Sequence, residues 1–351
     1  MTEKKTANGN GLESIAGIKR VERPEPIVTA DALAYVVFER RDVAEMSRFL
    51  RDFGLVFVEA ASDGTYYFRG YGTAPYLVVI EASGRDRFKG IGIQARTAQD
   101  FERFAAAVGV GAVAGPGPGG GKRVRLVDPD GLQVDLVYGA TPAPPLSHET
   151  LPPVNVPSRH VRVNTSVWPA VETSLIVRLG HVVLERLDFM ETAQWYMRHF
   201  GFIASDAQVF QNGEQGLGFF RLDRGAGPTG HHSLAILGGV KTGVFHVSFE
   251  TFNREALGSQ LFDCWKDPVG DEWEHYADGD VLNATQPAGY HWLMRGGPSA
   301  WGDNLPDSLR PDISVDKLEE LHAAGAFGDL PLEKVWDLFT ALQAHRQSRM
   351  H

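Results

Sequence analysis

Three residues far apart in the chain carry donor atoms suited to a metal ion: His181 in "GHVVLE", His246 in "VFHVSFE" and Glu274 in "DEWEHY". Two imidazoles and a carboxylate, each on its own strand, are the donor set of a divalent iron site with open coordination positions. Three ligands on one face leave the opposite face free for other molecules. A single strand histidine is more often a hydrogen-bonded structural residue. Here strand alternation groups His181 with Leu179 and Val183, and His246 with Val244 and Ser248, so both histidines should point inward with their apolar neighbours. Glu274 alternates with Trp273 and His275, and an inward carboxylate without a cation is costly. Asp271 and Glu272, in the turn before it, read as solvated. His232 lies fourteen residues before His246, in "HHSLAIL". A histidine near its neutral-pH transition can take up a proton and return it. Its neighbour His231 should face the other way on that strand, and the blander reading is that both histidines merely end a strand after "GAGPTG".

The elements that position these residues occur twice. "AYVVFERRDVAEMSRFLRDFGL" at 34–55 and "GHVVLERLDFMETAQWYMRHFGF" at 180–202 share one plan. Each has an apolar strand, an acid at a helix start, apolar residues three and four apart, and a closing glycine. The match resumes at "VDPDGLQVDLVYG" and "KDPVGDEWEHYADG", where Asp-Pro-x-Gly leads into a strand with an acid seven positions after the first Asp. Shorter strand candidates lie between, and "GIGIQAR" and "VFHVSFE" restart a strand in each half, so the chain reads as four βα-plus-strands modules. Aligning the halves sets His181 against Tyr35, His246 against Gly92 and Glu274 against Asp135, so only the second half has the full donor set.

The fold class expected is α+β: two domains of paired βαβββ modules with a helical C-terminal tail. Residues 1–29 form an N-terminal arm, 30–140 the first domain, 141–172 a Pro-rich linker, 173–290 the second domain and 291–351 the tail. In the tail, "SVDKLEELHAAGAF" and "PLEKVWDLFTALQAHRQ" have helical spacing.

The motifs "RLGHVVLE", "WYMRHFGF", "GHHSLAIL", "VFHVSFE" and "LGSQLFDCWKDPVGDEWEHY" make the second half resemble the catalytic domain of the type I extradiol catechol dioxygenases, within the vicinal oxygen chelate superfamily. The first half resembles that family's non-catalytic domain, so the likeness covers roughly 30–290. The resemblance implies funnel-like sheets and iron(II), in some members manganese(II), held by His181, His246 and Glu274. It also implies a small aromatic diol and O2 as substrates, His232 as the second-shell acid–base, a homo-oligomeric assembly, and a substrate pocket bordered by His231, Phe262, Cys264 and Tyr276. Two other functions share the fold: a metal-dependent isomerase or lyase of the glyoxalase kind, usually with four protein ligands, and a non-catalytic aromatic-binding protein.

Two features depart from that family. Gly92 and Asp128 are 36 positions apart but His246 and Asp267 only 21, so the fourth module has no room for a helix of ordinary length. Cys264 stands where relatives commonly have a tyrosine; a thiol is smaller and a weaker donor, and the simplest reading is a small buried residue. A shortened wall would widen the pocket toward bulky or fused-ring diols.

Composition narrows the classes further. The 351 residues are 43% hydrophobic and 22% charged, enough for two domains of typical size. A net charge of −10 without basic runs argues against a nucleic-acid partner. The single cysteine excludes an intrachain disulfide, the N-terminus lacks the apolar core of a secretion signal, and no stretch reaches eighteen apolar residues. These features lead us to expect a cytoplasmic protein with no membrane span.

Overall fold

The computed structural model describes residues 18–148, 158, 174–209, 215–239, 241–251, 261–277 and 279–292, with 319, 323 and 332 beyond them. Apart from those three residues, the expected tail helices lie outside the described residues, as does most of the linker. The first half runs β1 (Ala30–Arg40), α1 (Val43–Asp52), β2 (Val56–Ala60), β3 (Thr65–Arg69), β4 (Val78–Ala82), β5 (Arg87–Ala95), α2 (Ala98–Val108), β6 (Val113–Ala114), β7 (Lys122–Val127) and β8 (Gln133–Tyr138). The second runs β9 (Ile176–Arg186), α3 (Phe189–Phe200), β10 (Ile203–Val209), β11 (Gln215–Arg221), β12 (Thr229–Gly230), β13 (Leu234–Gly238), β14 (Gly243–Thr251), β15 (Leu261–Lys266), β16 (Glu272–Ala277), β17 (Val281–Leu282) and β18 (Gly289–Trp292).

The helices begin where the sequence places acids or threonine. Asp42, Thr97 and Asp188 each accept a hydrogen bond from the backbone N–H three residues on, which satisfies an otherwise orphaned donor of the first turn. α3 ends on Gly201 in the left-handed region, at φ 73°, where a side chain would strain the backbone.

Each half forms a curled eight-stranded sheet, ordered β2-β3-β4-β1-β5-β8-β7-β6 and β15-β16-β14-β9-β13-β11-β10-β18. Within each, the strands opening two modules lie antiparallel at the centre, β1 on β5 and β9 on β14. In the fourth module the nine residues 252–260 separate β14 from β15, and among the described residues it has strands but no helix. The end of α1 from the other half packs on it: Phe49 lies edge-on to Trp273, and Phe53, just after the helix, stacks on His275 at 3.8 Å and packs edge-on against Phe249 and Trp273. One apolar core, from Val36 and Phe104 to Phe249 and Trp273, runs through both halves. Among the described residues no helix is long and apolar enough to cross a membrane.

The ladders correct the alignment of the halves. Gly92 pairs with Tyr35 and Asp135, whereas Ser248 pairs with His181 and Glu274. Gly92 is thus the counterpart of Ser248, and Gly90, opposite Val37 as His246 is opposite Val183, is the counterpart of His246. Two glycines in alternate positions let the sequence slide by two residues without a visible penalty; hydrogen-bond register does not. With Gly90 as reference the first-half interval is 38 positions, so the second half is shorter by 17.

The Asp-Pro-x-Gly turns have a structural role. Asp128 Oδ1 accepts from the backbone of Asp130 and Leu132, and Asp267 Oδ1 from Val269 and Asp271. The second oxygen of each reaches the other half. Arg186 Nη2 lies 3.1 Å from Asp128 Oδ2, and Arg40 Nη2 lies 2.7 Å from Asp267 Oδ2. Arg40 also donates to Asp271 at 2.5 Å, so Asp271 is a partner of a buried guanidinium and not a solvated turn residue. Glu272 is likewise partly buried, 3.9 Å from Lys266.

Candidate metal centre

Three adjacent strands bring the predicted ligands together. His181 on β9, Ser248 on β14 and Glu274 on β16 form one row across the sheet, with His246 two residues from Ser248 on the same face. His181 Nε2 lies 3.1 Å from His246 Nε2 and 3.3 Å from Glu274 Oε1, and His246 Nε2 lies 4.0 Å from Glu274 Oε2. The three ligand atoms all fall within 4.8 Å of one another, close enough to share one ion.

The histidines reach this face by a route that strict alternation does not give. The register between β9 and β14 shifts between Ser248 and Phe249 and again between Val244 and His246. Each shift is a bulge, with Gly180 and Phe245 as the extra residues, and a bulge reverses the faces beyond it. Leu179 and Val244 consequently pack into the apolar core behind the sheet, not beside the histidines. His181 and Val183 do share a face, as do His246 and Ser248. Gly180 has a further reason to be glycine: a Cβ there would fall 2.1 Å from the ring of Tyr276.

The electrostatics suit ligands that must be unprotonated. Burial pushes His246 down to about 4, with the neighbouring His181 acting the same way and Glu274 opposing. Burial alone would raise Glu274, but His246, His181 and the Ser248 hydroxyl together hold it below the ordinary carboxylate value. Ser248 Oγ donates to Glu274 Oε1 at 2.5 Å, which orients the carboxylate. Its only sequence signal is a polar residue two positions after His246.

The corresponding place in the first half is closed. Tyr35 donates to Asp135 Oδ2 at 2.9 Å, and Arg125 donates to both oxygens at 2.8 and 2.9 Å. Arg125 faces Asp135 in the ladder as Cys264 faces Glu274. A Cβ on Gly92 would meet the Tyr35 ring at 2.5 Å, and one on Gly90 would meet the Gln133 carbonyl oxygen at 2.4 Å and its Cβ at 2.8 Å; the Gln133 amide donates to Asp135 Oδ2 at 3.1 Å. Phenol, guanidinium and glutamine fill the space that two imidazoles line in the second half.

His232 lies with its ring centroid 4.2 Å from that of His181. Burial first, then His181, His231 and His246, hold its pKa well below the usual histidine value. His231 and His232 precede β13 in irregular backbone, so they are not alternating strand residues; their Nδ1 atoms are 3.0 Å apart. His231 turns its other nitrogen to Asp206, at 2.6 Å, a partner 25 residues away that nothing in the sequence marks. Tyr276 stands on the Glu274 face, ring centroid 5.3 Å from His181. Cys264 is exposed, not the small buried residue expected, because β15 is the edge strand of its sheet; it shares the face of Glu274. The Phe262 side chain lies outside what the structure describes.

Solved structures share this architecture. A Mn(II)-bound glyoxalase from Novosphingobium aromaticivorans superposes with a TM-score of 0.64 at 18% identity, covering 80% of this chain and 94% of that one. The 2,3-dioxygenase LapB from Pseudomonas sp. KL28 gives 0.59 at 16%, covering 76% and 99%. The chain has the vicinal oxygen chelate fold. An extradiol ring-cleaving dioxygenase from Brevibacterium fuscum extends this fold likeness, with a TM-score of 0.57 at 18% identity and coverage of 77% and 79%. No protein-family model and no curated protein matches the sequence.

Proposed function

We propose that this vicinal oxygen chelate protein is an extradiol dioxygenase that inserts both atoms of O2 into a catechol-type diol, with His181, His246 and Glu274 holding a divalent iron. One difference between the halves carries the reading. Asp135 has Arg125 and Arg123 as its cations, whereas Glu274 meets two imidazoles and a hydroxyl, and no lysine or arginine among the described residues pairs with it. A buried carboxylate in that setting fits a cation taken from solution. When bound, iron(II) supplies the passage of charge between a chelated diol and dioxygen, and manganese(II) suits the same donors.

The chain's own residues supply the rest. Three ligands on one sheet face leave the space before that face for the diol. His232, held neutral by burial, accepts a proton from a diol hydroxyl and later returns it. Tyr276 walls the site beside His181, and Ser248 keeps Glu274 aimed inward. Cys264, exposed on the ligand face of an edge strand, is smaller than a phenol, which favours a bulky or fused-ring diol. We place the enzyme in the cytoplasm as a homo-oligomer.

The Mn(II)-bound glyoxalase of the same fold supports a second reading, a metal-dependent isomerase or lyase. The single carboxylate of the triad weighs against it, because a shuttling carboxylate would have to be supplied besides the ligands.

Anaerobic loading with Fe(II), followed by O2 and a diol, tests the first reading by the yellow colour of the ring-opened product. His181→Ala, His246→Ala and Glu274→Ala should each abolish iron retention and colour. Full activity in any one removes that residue from the site. Comparing catechol, 3-substituted catechols and dihydroxynaphthalene tests the substrate, and a clear preference for catechol would defeat the fused-ring assignment.

A further inference from the structure

A chain of hydrogen bonds runs outward from the candidate acid–base residue. Asp206 Oδ2 on β10 lies 2.6 Å from His231 Nε2, and His231 Nδ1 lies 3.0 Å from His232 Nδ1. A carboxylate only accepts. His231 must therefore carry a hydrogen on Nε2, and in its neutral form its Nδ1 is an acceptor. The facing nitrogen of His232 must then donate, so His232 carries hydrogen on Nδ1 and its Nε2 is bare. Among the described residues nothing hydrogen-bonds that Nε2.

The surroundings fix this arrangement. The backbone N–H of His231 donates to Asp280 O at 2.7 Å, and its carbonyl accepts from Ser205 Oγ at 2.5 Å. Buried Arg221 donates in turn to Ser205 Oγ at 3.1 Å. Phe219 packs against both rings, with centroids 5.6 Å from His231 and 5.0 Å from His232. Neither histidine can turn without breaking contacts anchored in β10 and β11.

We propose that Asp206 and His231 are positioning residues that hold His232 in the Nδ1–H tautomer, with its Nε2 lone pair kept for a proton from a molecule bound at the triad. This rests on the role given to His232 above. The logic is that of a carboxylate orienting a catalytic imidazole, with a second imidazole interposed between them.

Nitrogen-15 NMR of the histidine-labelled, metal-free protein reads the tautomer without turnover, the His232 signals being assigned by their loss in His232→Gln. The wild type should show His232 protonated on Nδ1 and bare on Nε2. His231→Phe should abolish that preference. His231→Asn, whose side-chain oxygen can stand in for the accepting Nδ1, should restore it. In turnover, His231→Phe and Asp206→Leu should lower kcat by roughly ten- to hundredfold, part of what a positioned proton-transfer group contributes, with KM and iron content unchanged. A wild-type spectrum with hydrogen on Nε2, or a His231→Phe protein with unaltered spectrum and kcat, overturns the proposal. Should the wild type open no diol at all, the dioxygenase reading falls, and the spectra alone still decide the tautomer.

Discussion

Tyr35 donates its phenolic hydrogen to Asp135 across 2.9 Å, in the place where the second half sets His181 3.3 Å from Glu274. The same three-strand scaffold thus holds either a self-neutralised cluster or an open donor set. In the first half the cation is built in. Asp135 is fully buried, and Arg125 gives it two charge-assisted bonds. Arg125→Met should therefore destabilise the protein by about 2–3 kcal/mol, the usual effect of removing a charged partner from a buried acceptor. It should leave the metal content untouched. Denaturant titration and metal analysis of the variant check both. Arg103→Met, which removes an exposed partner of Asp100, should change stability by less than about 1 kcal/mol.

The two halves are also tied by reciprocal ion pairs. Arg40 and Arg186 stand at matching ends of β1 and β9, and each reaches the turn aspartate of the other half; all four side chains are almost wholly buried. Breaking a buried pair leaves a charge without compensation, at a cost of about 3–5 kcal/mol. We expect Arg40→Ala and Arg186→Ala each to lower stability by that amount in equilibrium unfolding. A loss below about 1 kcal/mol in either would show that the turn aspartates find other partners.

Ser248 should matter through Glu274. Its hydroxyl fixes one carboxylate oxygen, and groups that orient a ligand typically change metal affinity by roughly 10- to 100-fold when removed. Ser248→Ala should weaken Fe(II) or Mn(II) binding to that extent, measured by calorimetric titration, while Ser248→Thr keeps the hydroxyl and most of the affinity. Equal affinity in wild type and alanine variant would mean that the histidines alone orient the carboxylate.

Much of this was legible because the chain repeats itself. The paired motifs disclosed four modules, and the type of residue at Tyr35 and His181, or at Asp135 and Glu274, set a donor set against its counterpart. What escaped was register. Gly90 and Gly92 carry no side chain to fix an alignment, so only the hydrogen-bond ladder shows Ser248 opposite His181. The bulges at Gly180 and Phe245 are equally silent, since a period of two looks intact over so few residues. Pairings such as Asp206 with His231, or Arg40 with Asp267, depend on tertiary approach across 25 and 227 residues. Local pattern has no access to them.

The acid behaviour of the metal-free protein follows from the triad. Burial lowers His246 to about 4 and takes His232 in the same direction, whereas an unfolded histidine titrates near about 6.5. Between those values the unfolded chain binds more protons than the folded one, so stability rises with pH across the window. It is fully present above about 6.5 and is lost progressively as pH falls toward about 4. Glu274, also lowered, adds to the loss at the acid end, where its unfolded form takes up a proton first. Melting temperatures of the metal-free protein should accordingly fall from pH 6.5 to pH 4. His246→Gln, which removes one titrating group, should flatten that slope. Added Mn(II) should raise the melting temperature at neutral pH and lose its effect toward pH 4, because protons compete for the same donors. A wild-type slope unchanged by His246→Gln would place the acid sensitivity elsewhere in the molecule.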